Sequence, residues 1–150
     1  MKQRSCIEAM KVVSSVALFL AAQVLCSNIP EEYYTLEDYT CMERVGVDTV
    51  YVSNGFNPIT MKCTETEKYK QFMDCWQREM HMLDENDNVI PQVWEKWLVD
   101  VAFKFLEKSD NPNRYDLSKK FVENCKDITG DKQFDKAIKL WNCIVPQIAT

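Results

Sequence analysis

Cysteine is the residue type that most constrains the fold of this chain, because disulfides fix which segments lie together. Of the seven cysteines in the 150 residues, five follow the apolar amino-terminal segment: Cys41, Cys63, Cys75, Cys125 and Cys143. They lack the C-x₂₋₄-C spacing of common zinc sites, and the sequence has a single histidine, so disulfides are favoured over a metal site. Because five is odd, at least one of these cysteines is free or pairs with a second chain.

The amino terminus has the features of a secretory signal peptide. Residues 12–25 (VVSSVALFLAAQVL) are apolar, follow three basic residues, and lead to Val24 and Cys26, which are small enough for the two positions that signal peptidase reads. The run is shorter than the roughly 20 residues that a membrane-spanning helix requires. We therefore expect residues 1–26 to be a signal peptide. Residues 27–150 should then form one secreted, extracellular domain whose cysteines meet an oxidising compartment.

The predicted mature chain is acidic. Residues 1–26 hold three basic residues and one acidic residue, so their removal changes the formal net charge from −5 to −7. An acidic surface without a cluster of Lys or Arg repels phosphate groups. Nucleic acid and membranes are therefore not expected as partners.

Helical periodicity dominates the rest of the chain. Pro30 suits the first position of a helix that Gly46 ends, and Thr64 with Glu67 predicts a capping box at the start of the next helix. Pro91 begins the most amphipathic segment, with apolar residues at helical spacing. Since no segment alternates with period two, the predicted class is all-α. Helices are predicted at residues 30–45, 64–83, 91–108 and 131–145, with a further apolar helical face at residues 117–125.

Four of the cysteines resemble part of the six-cysteine pattern of the insect odorant-binding protein superfamily. Cys41, Cys75, Cys125 and Cys143 look like the first, third, fourth and sixth cysteines of that pattern. The chain is also similar to the salivary odorant-binding-like carriers of blood-feeding flies, some of which hold biogenic amines or eicosanoids.

The two missing cysteines of the pattern are a bonded pair in the family. Their positions, four residues before Cys75 and nine before Cys143, are occupied by Gln71 and Phe134. Loss of both partners together is what a reduced-cysteine branch of the superfamily would show.

The resemblance implies both a disulfide pairing and a fold. It implies that Cys41 pairs with Cys75 and Cys125 with Cys143, which leaves Cys63 unpaired in a monomer or linking two chains in a dimer. It also implies a compact, disulfide-linked bundle of five or six helices around an internal cavity.

The function that the resemblance implies is that of a secreted carrier. Its ligand would be an apolar or amphipathic small molecule: an odorant, a pheromone, a lipid or a biogenic amine. A buried Glu or Asp could hold an amine. Large aromatic residues on the apolar helix faces are the candidate ligand-binding residues, although ordinary core packing is the alternative for each. These candidates are Trp76, Trp94, Trp97, Phe105, Phe121, Phe134 and Trp141.

Enzymatic functions find little support in the sequence. Neither a G-x-S-x-G nor an H-E-x-x-H motif is present, and a Cys–His nucleophile would depend on His81 alone. We expect no catalysis, no cofactor and no metal. The alternative from another class is a secreted helical signalling or inhibitory protein that acts through its surface, which a tightly packed core without a void would favour.

Overall fold

Six helices account for most of residues 27–150, the part of the chain that the computed structural model describes. The predicted signal peptide, residues 1–26, lies outside the described residues. Pairing of extended backbone within residues 27–150 is limited to two isolated bridges, Phe56 with Cys63 and Leu83 with Val89, so the domain is all-α. The helices are α1 (Leu36–Val45), α2 (Thr49–Asn54), α3 (Glu67–Glu79), α4 (residues 91–105), α5 (Arg114–Glu123) and α6 (Asp135–Ile144), and 3₁₀ turns lie at Glu31–Tyr33 and Val145–Ile148.

The first predicted helix starts later than expected. Pro30 precedes a single 3₁₀ turn, Tyr34 is extended with ψ 130°, and α1 begins only at Leu36. The carboxylate of Asp38 accepts the Thr35 backbone N–H at 2.7 Å, as the N3 residue of a capping box does. Residues 27–35 therefore form an amino-terminal strap ahead of α1. Gly46 ends α1 with φ +76°, as predicted.

The capping box predicted at Thr64 and Glu67 is wrong. The helix α3 begins at Glu67, with Thr66 at its N-cap. Thr64 instead donates its backbone N–H to the Gly55 carbonyl at 2.7 Å, and the neighbouring Cys63 forms the bridge with Phe56. These backbone contacts hold residues 63–64 in an extended conformation, which overrides the local capping preference.

The amphipathic helix α4 is interrupted by a π turn. It comprises Pro91–Trp97, the π-helical turn Leu98–Ala102 and the α-helical turn Phe103–Phe105. A π turn holds an extra residue, which shifts the side chains that follow relative to those before it. The sequence predicted a continuous helix here, because apolar spacing does not report a single inserted residue.

Two disulfides tie α3 and α6 to other parts of the bundle. Cys41 on α1 is bonded to Cys75 on α3, and Cys125 after α5 is bonded to Cys143 on α6, with Cα–Cα distances of 5.7 Å and 6.0 Å. The helix α3 packs against α1 and α6, while α4 packs against α5. Both predicted pairings are confirmed, and Cys63 is a buried free cysteine.

No helix among residues 27–150 is long and apolar enough to cross a membrane. Together with the two intramolecular disulfides, this is compatible with the predicted secretion.

Candidate ligand-binding site

A cavity of about 270 Å³, partly open to solvent, lies between the amino-terminal strap, α1, α2, α3, α4 and α6. Its wall is mainly apolar and rich in aromatic rings and sulfur. The α4 helix contributes residues from both sides of its π turn, so the turn lies directly in the cavity wall. The aromatic and sulfur-containing lining residues are Tyr33, Tyr34, Phe56, Met61, Cys63, Tyr69, Phe72, Met73, Trp76, Met80, Trp97, Phe105 and Trp141.

Three tryptophans from three different helices pack against one another in the cavity wall. The ring centroids of Trp97 and Trp141 are 5.2 Å apart, those of Trp76 and Trp97 5.6 Å, and those of Trp76 and Trp141 5.7 Å. Tilted and edge-to-face contacts at these distances are favourable for aromatic rings. Trp141 is fixed further by its Nε1–H, which donates to the Met61 carbonyl at 2.9 Å. The tryptophan group is therefore a rigid apolar wall.

The structure brings four of the seven candidate residues together at the cavity: Trp76, Trp97, Phe105 and Trp141. The other three do not line it. Trp94 is completely buried in the core, and Phe121 lies on α5, none of whose residues reaches the cavity wall. Phe134 is the N-cap of α6, with a left-handed φ of +68°. Helical periodicity identified the buried side of each helix, but it does not distinguish a packed neighbour from a void.

Asp38 is a lining residue that the sequence analysis missed. It lies on α1 three residues before Cys41, which is completely buried, so both side chains project from the same side of the helix. That spacing is the signal that could have identified it. Asp38 Oδ2 accepts hydrogen bonds from the backbone N–H of Thr35 at 2.7 Å and from its hydroxyl at 2.9 Å.

Burial raises the pKa of the Asp38 carboxyl above its ordinary value. The hydrogen bonds from Thr35 and the nearby indole N–H of Trp76 oppose this rise in pKa without cancelling it, and the negative charge of Glu37 adds to it. None of the ion pairs among residues 27–150 includes Asp38. Asp38 is thus a partly buried carboxylate on the cavity wall that lacks a cationic partner in the described part of the chain.

The tyrosine hydroxyls deep in the cavity have hydrogen-bond partners, and the tyrosine and cysteine side chains there are neutral. The Tyr69 hydroxyl donates to the Val52 carbonyl at 3.0 Å, and the Tyr34 hydroxyl to the Thr49 carbonyl at 3.2 Å. Burial raises the pKa of Tyr34 to about 12, and it also raises the pKa of the Cys63 thiol to about 12. These groups are uncharged at neutral pH, so among the described lining residues Asp38 carries the partly buried carboxyl group, whereas Glu32, Asp100 and Lys104 are exposed.

Aromatic and charged side chains meet where the strap faces α4. Tyr33 of the strap contacts Phe105 edge to face, with ring centroids 5.1 Å apart. Glu32, Asp100 and Lys104 also line the cavity, and Asp100 forms an ion pair with Lys96. The charged residues of the wall, including Asp38, are therefore predominantly acidic.

Neither a metal site nor a triad around histidine is visible at the cavity. Residues 27–150 contain no group of three or more His, Cys, Asp or Glu side chains placed to hold a metal ion. His81 is exposed and does not line the cavity.

No family model, curated protein or solved structure matches the chain. The resemblance to odorant-binding proteins therefore rests on the cysteine spacing.

Proposed function

We propose that the protein is a secreted carrier that encloses an apolar or amphipathic small molecule in its internal cavity and catalyses nothing. The observation that carries this proposal is the cavity itself: about 270 Å³ walled by aromatic and sulfur-containing side chains, with few polar groups. Such a composition is typical of sites that bind small molecules. The disulfide pairing is the one expected for a reduced-cysteine member of the odorant-binding protein superfamily, to which we assign the chain as part of the same proposal.

The size of the cavity favours a small ligand. Ligand pockets usually span roughly 300–1,000 Å³, and this cavity lies just below that range. A compact aromatic or branched molecule therefore suits it better than a long-chain lipid.

The cavity also weighs against the surface-acting alternative. A signalling or inhibitory protein needs no void in its core, because close packing maximises dispersion contacts and an empty space forfeits them. A cavity lined by three packed tryptophans is better explained by a ligand that restores those contacts.

Native mass spectrometry of the protein purified from its natural source tests the carrier function. We expect a species heavier than the doubly disulfide-bonded polypeptide by the mass of one small molecule, which collisional activation releases. Protein stripped of ligand should take up one equivalent of an apolar probe such as N-phenyl-1-naphthylamine. A bare polypeptide mass that persists in the presence of excess probe would contradict the proposal.

A further inference from the structure

Asp38 lines the cavity, and one of its two carboxylate oxygens accepts no hydrogen bond among residues 27–150. Its Oδ2 atom accepts both hydrogen bonds from Thr35, and within residues 27–150 its Oδ1 atom accepts none. A carboxylate oxygen has two lone pairs, and Oδ1 is not among the fully buried, unpartnered side-chain atoms of residues 27–150, so it is accessible to a bound molecule or to water. Asp38 is therefore only half satisfied by the protein groups around it.

A second unsatisfied group lies beside this carboxylate. The Nε1–H of Trp76 is buried and has no hydrogen-bond acceptor within the described residues, and the side chain is only 6 % exposed. It is near enough to Asp38 to lower the pKa of that carboxyl, but it does not reach hydrogen-bonding geometry. Trp76 and Asp38 both line the cavity, so its wall holds an indole N–H without an acceptor next to a carboxylate oxygen without a donor.

Asp38 also lacks a compensating positive charge. Transfer of a carboxylate out of water is costly unless a cation accompanies it. Lys104 lines the same cavity but is exposed and forms no ion pair with Asp38. Since Glu32 and Asp100 add negative charge to the wall, the local potential attracts cations and repels anions.

We propose that the ligand is a small protonated amine with an aromatic or compact apolar body, whose ammonium group donates to Asp38 Oδ1. This inference rests on the proposed carrier function and names the class of its ligand. The ammonium supplies the missing positive charge, and the tryptophan wall around Trp76 offers ring faces that attract a cation. The apolar body occupies the space beside Trp97 and Trp141. With its two oxygens, the Asp38 carboxylate can accept a hydrogen bond from the ammonium and, after a small shift of its side chain, a second one from Trp76 Nε1–H.

Other ligand chemistries satisfy this site less well. A carboxylic acid would bring a second negative charge next to Asp38. A neutral alcohol could hydrogen bond to Asp38 but would leave its charge uncompensated in a partly buried position. The site therefore distinguishes amine, alcohol and acid of the same size by charge.

A matched series of three ligands on the full chain tests this inference: 2-phenylethylamine, 2-phenylethanol and phenylacetate, titrated by calorimetry. Charge-assisted hydrogen bonds are about twice as strong as neutral ones, so we expect the amine to bind about tenfold more tightly than the alcohol and the acid most weakly. Asp38→Asn should weaken amine binding about tenfold and alcohol binding by less than about threefold. Lowering the pH through the Asp38 pKa should weaken amine binding but not alcohol binding.

Glu43→Gln is the matched control, because it removes an exposed carboxylate of the same helix that neither lines the cavity nor shifts the pKa of Asp38. It should leave all three affinities unchanged. Asn at position 38 keeps an oxygen that can accept the Thr35 N–H, and alcohol binding by Asp38→Asn shows that its cavity is intact. Equal affinities for amine and alcohol, unaffected by Asp38→Asn, would overturn the amine inference and leave the carrier function standing. Failure of all three ligands and of an apolar dye to bind would overturn both.

Discussion

Cys63 is held in the core by its backbone as well as by its side chain. Its N–H donates to Asn142 Oδ1 at 2.8 Å, and its carbonyl accepts from Asn142 Nδ2 at 3.0 Å, so the residue is fixed to α6. The side chain is 7 % exposed, and burial raises the pKa of the thiol to about 12. Because the thiolate is the reactive form of cysteine, this environment disfavours the Cys63-linked dimer that an odd cysteine count left open.

We expect the Cys63 thiol to be unreactive in the folded protein. Iodoacetamide at pH 8 should leave Cys63 unmodified over a time in which a free cysteine in a peptide is fully alkylated, because both exposure and thiolate fraction are low. In denaturant without reductant, Cys63 should be alkylated while the four bonded cysteines stay protected. Peptide mapping by mass spectrometry gives both results. Rapid alkylation of Cys63 in the native protein, or a disulfide-linked dimer on a non-reducing gel, would contradict its burial.

At the level of elements, α3 is the helix that connects the bundle. It is bonded to α1 through Cys41–Cys75, it packs against α6, and it contributes Trp76 to the cavity wall. Glu65, just before α3, contacts Asn142, while Lys70 forms an ion pair with Asp135 at 2.7 Å. Gln71 and Phe134 are the sequence neighbours of this Lys70–Asp135 ion pair.

A third disulfide tests whether these two positions correspond to the missing cysteine pair. We expect the double variant Gln71→Cys with Phe134→Cys to form an intramolecular bridge, because the Lys70–Asp135 ion pair already holds the flanking residues together. The entropy of loop closure would stabilise the fold by about 4 kcal/mol, and loss of the partly buried Phe134 ring would offset much of it. Urea unfolding should therefore show little net gain in the free energy of unfolding. Two free thiols after refolding in a glutathione buffer would contradict the assignment to the odorant-binding pattern.

The sequence predicted long-range pairing better than it predicted helix boundaries. Both disulfides followed from the resemblance to the odorant-binding cysteine pattern, and the end of α1 at Gly46 followed from residue type. The sequence did not predict where α1 and α3 start, because contacts with residues distant in sequence decide those boundaries. It also missed the π turn in α4, which depends on one inserted residue. For the site, the sequence indicated four aromatic residues of the cavity wall but not Asp38. An acidic residue is usually solvated, and only its place near Cys41 in the folded helix brings it to the interior.

At the scale of the whole molecule, the cavity is assembled from segments that are far apart in the chain. The strap, five helices and the loop at Met61 and Cys63 all contribute to its wall. The two disulfides hold three of those helices, α1, α3 and α6. Core void space normally destabilises a protein. We interpret this partly open cavity, reinforced by the disulfides, as the site of the proposed ligand.

Blocking the cavity from the π turn is the most direct test of the carrier account. Val101 lines the cavity, whereas Val99, also partly buried and in the same π turn, does not, so Val101→Trp and Val99→Trp form a matched pair. Each variant and the parent chain would be titrated with N-phenyl-1-naphthylamine, following probe emission and quenching of tryptophan. We predict saturable one-to-one binding at about micromolar strength by the parent and by Val99→Trp, and its loss in Val101→Trp with an unchanged helical circular dichroism spectrum. Saturable binding that Val101→Trp leaves intact, or no binding by the parent chain, would contradict the central claim that this cavity encloses a small molecule.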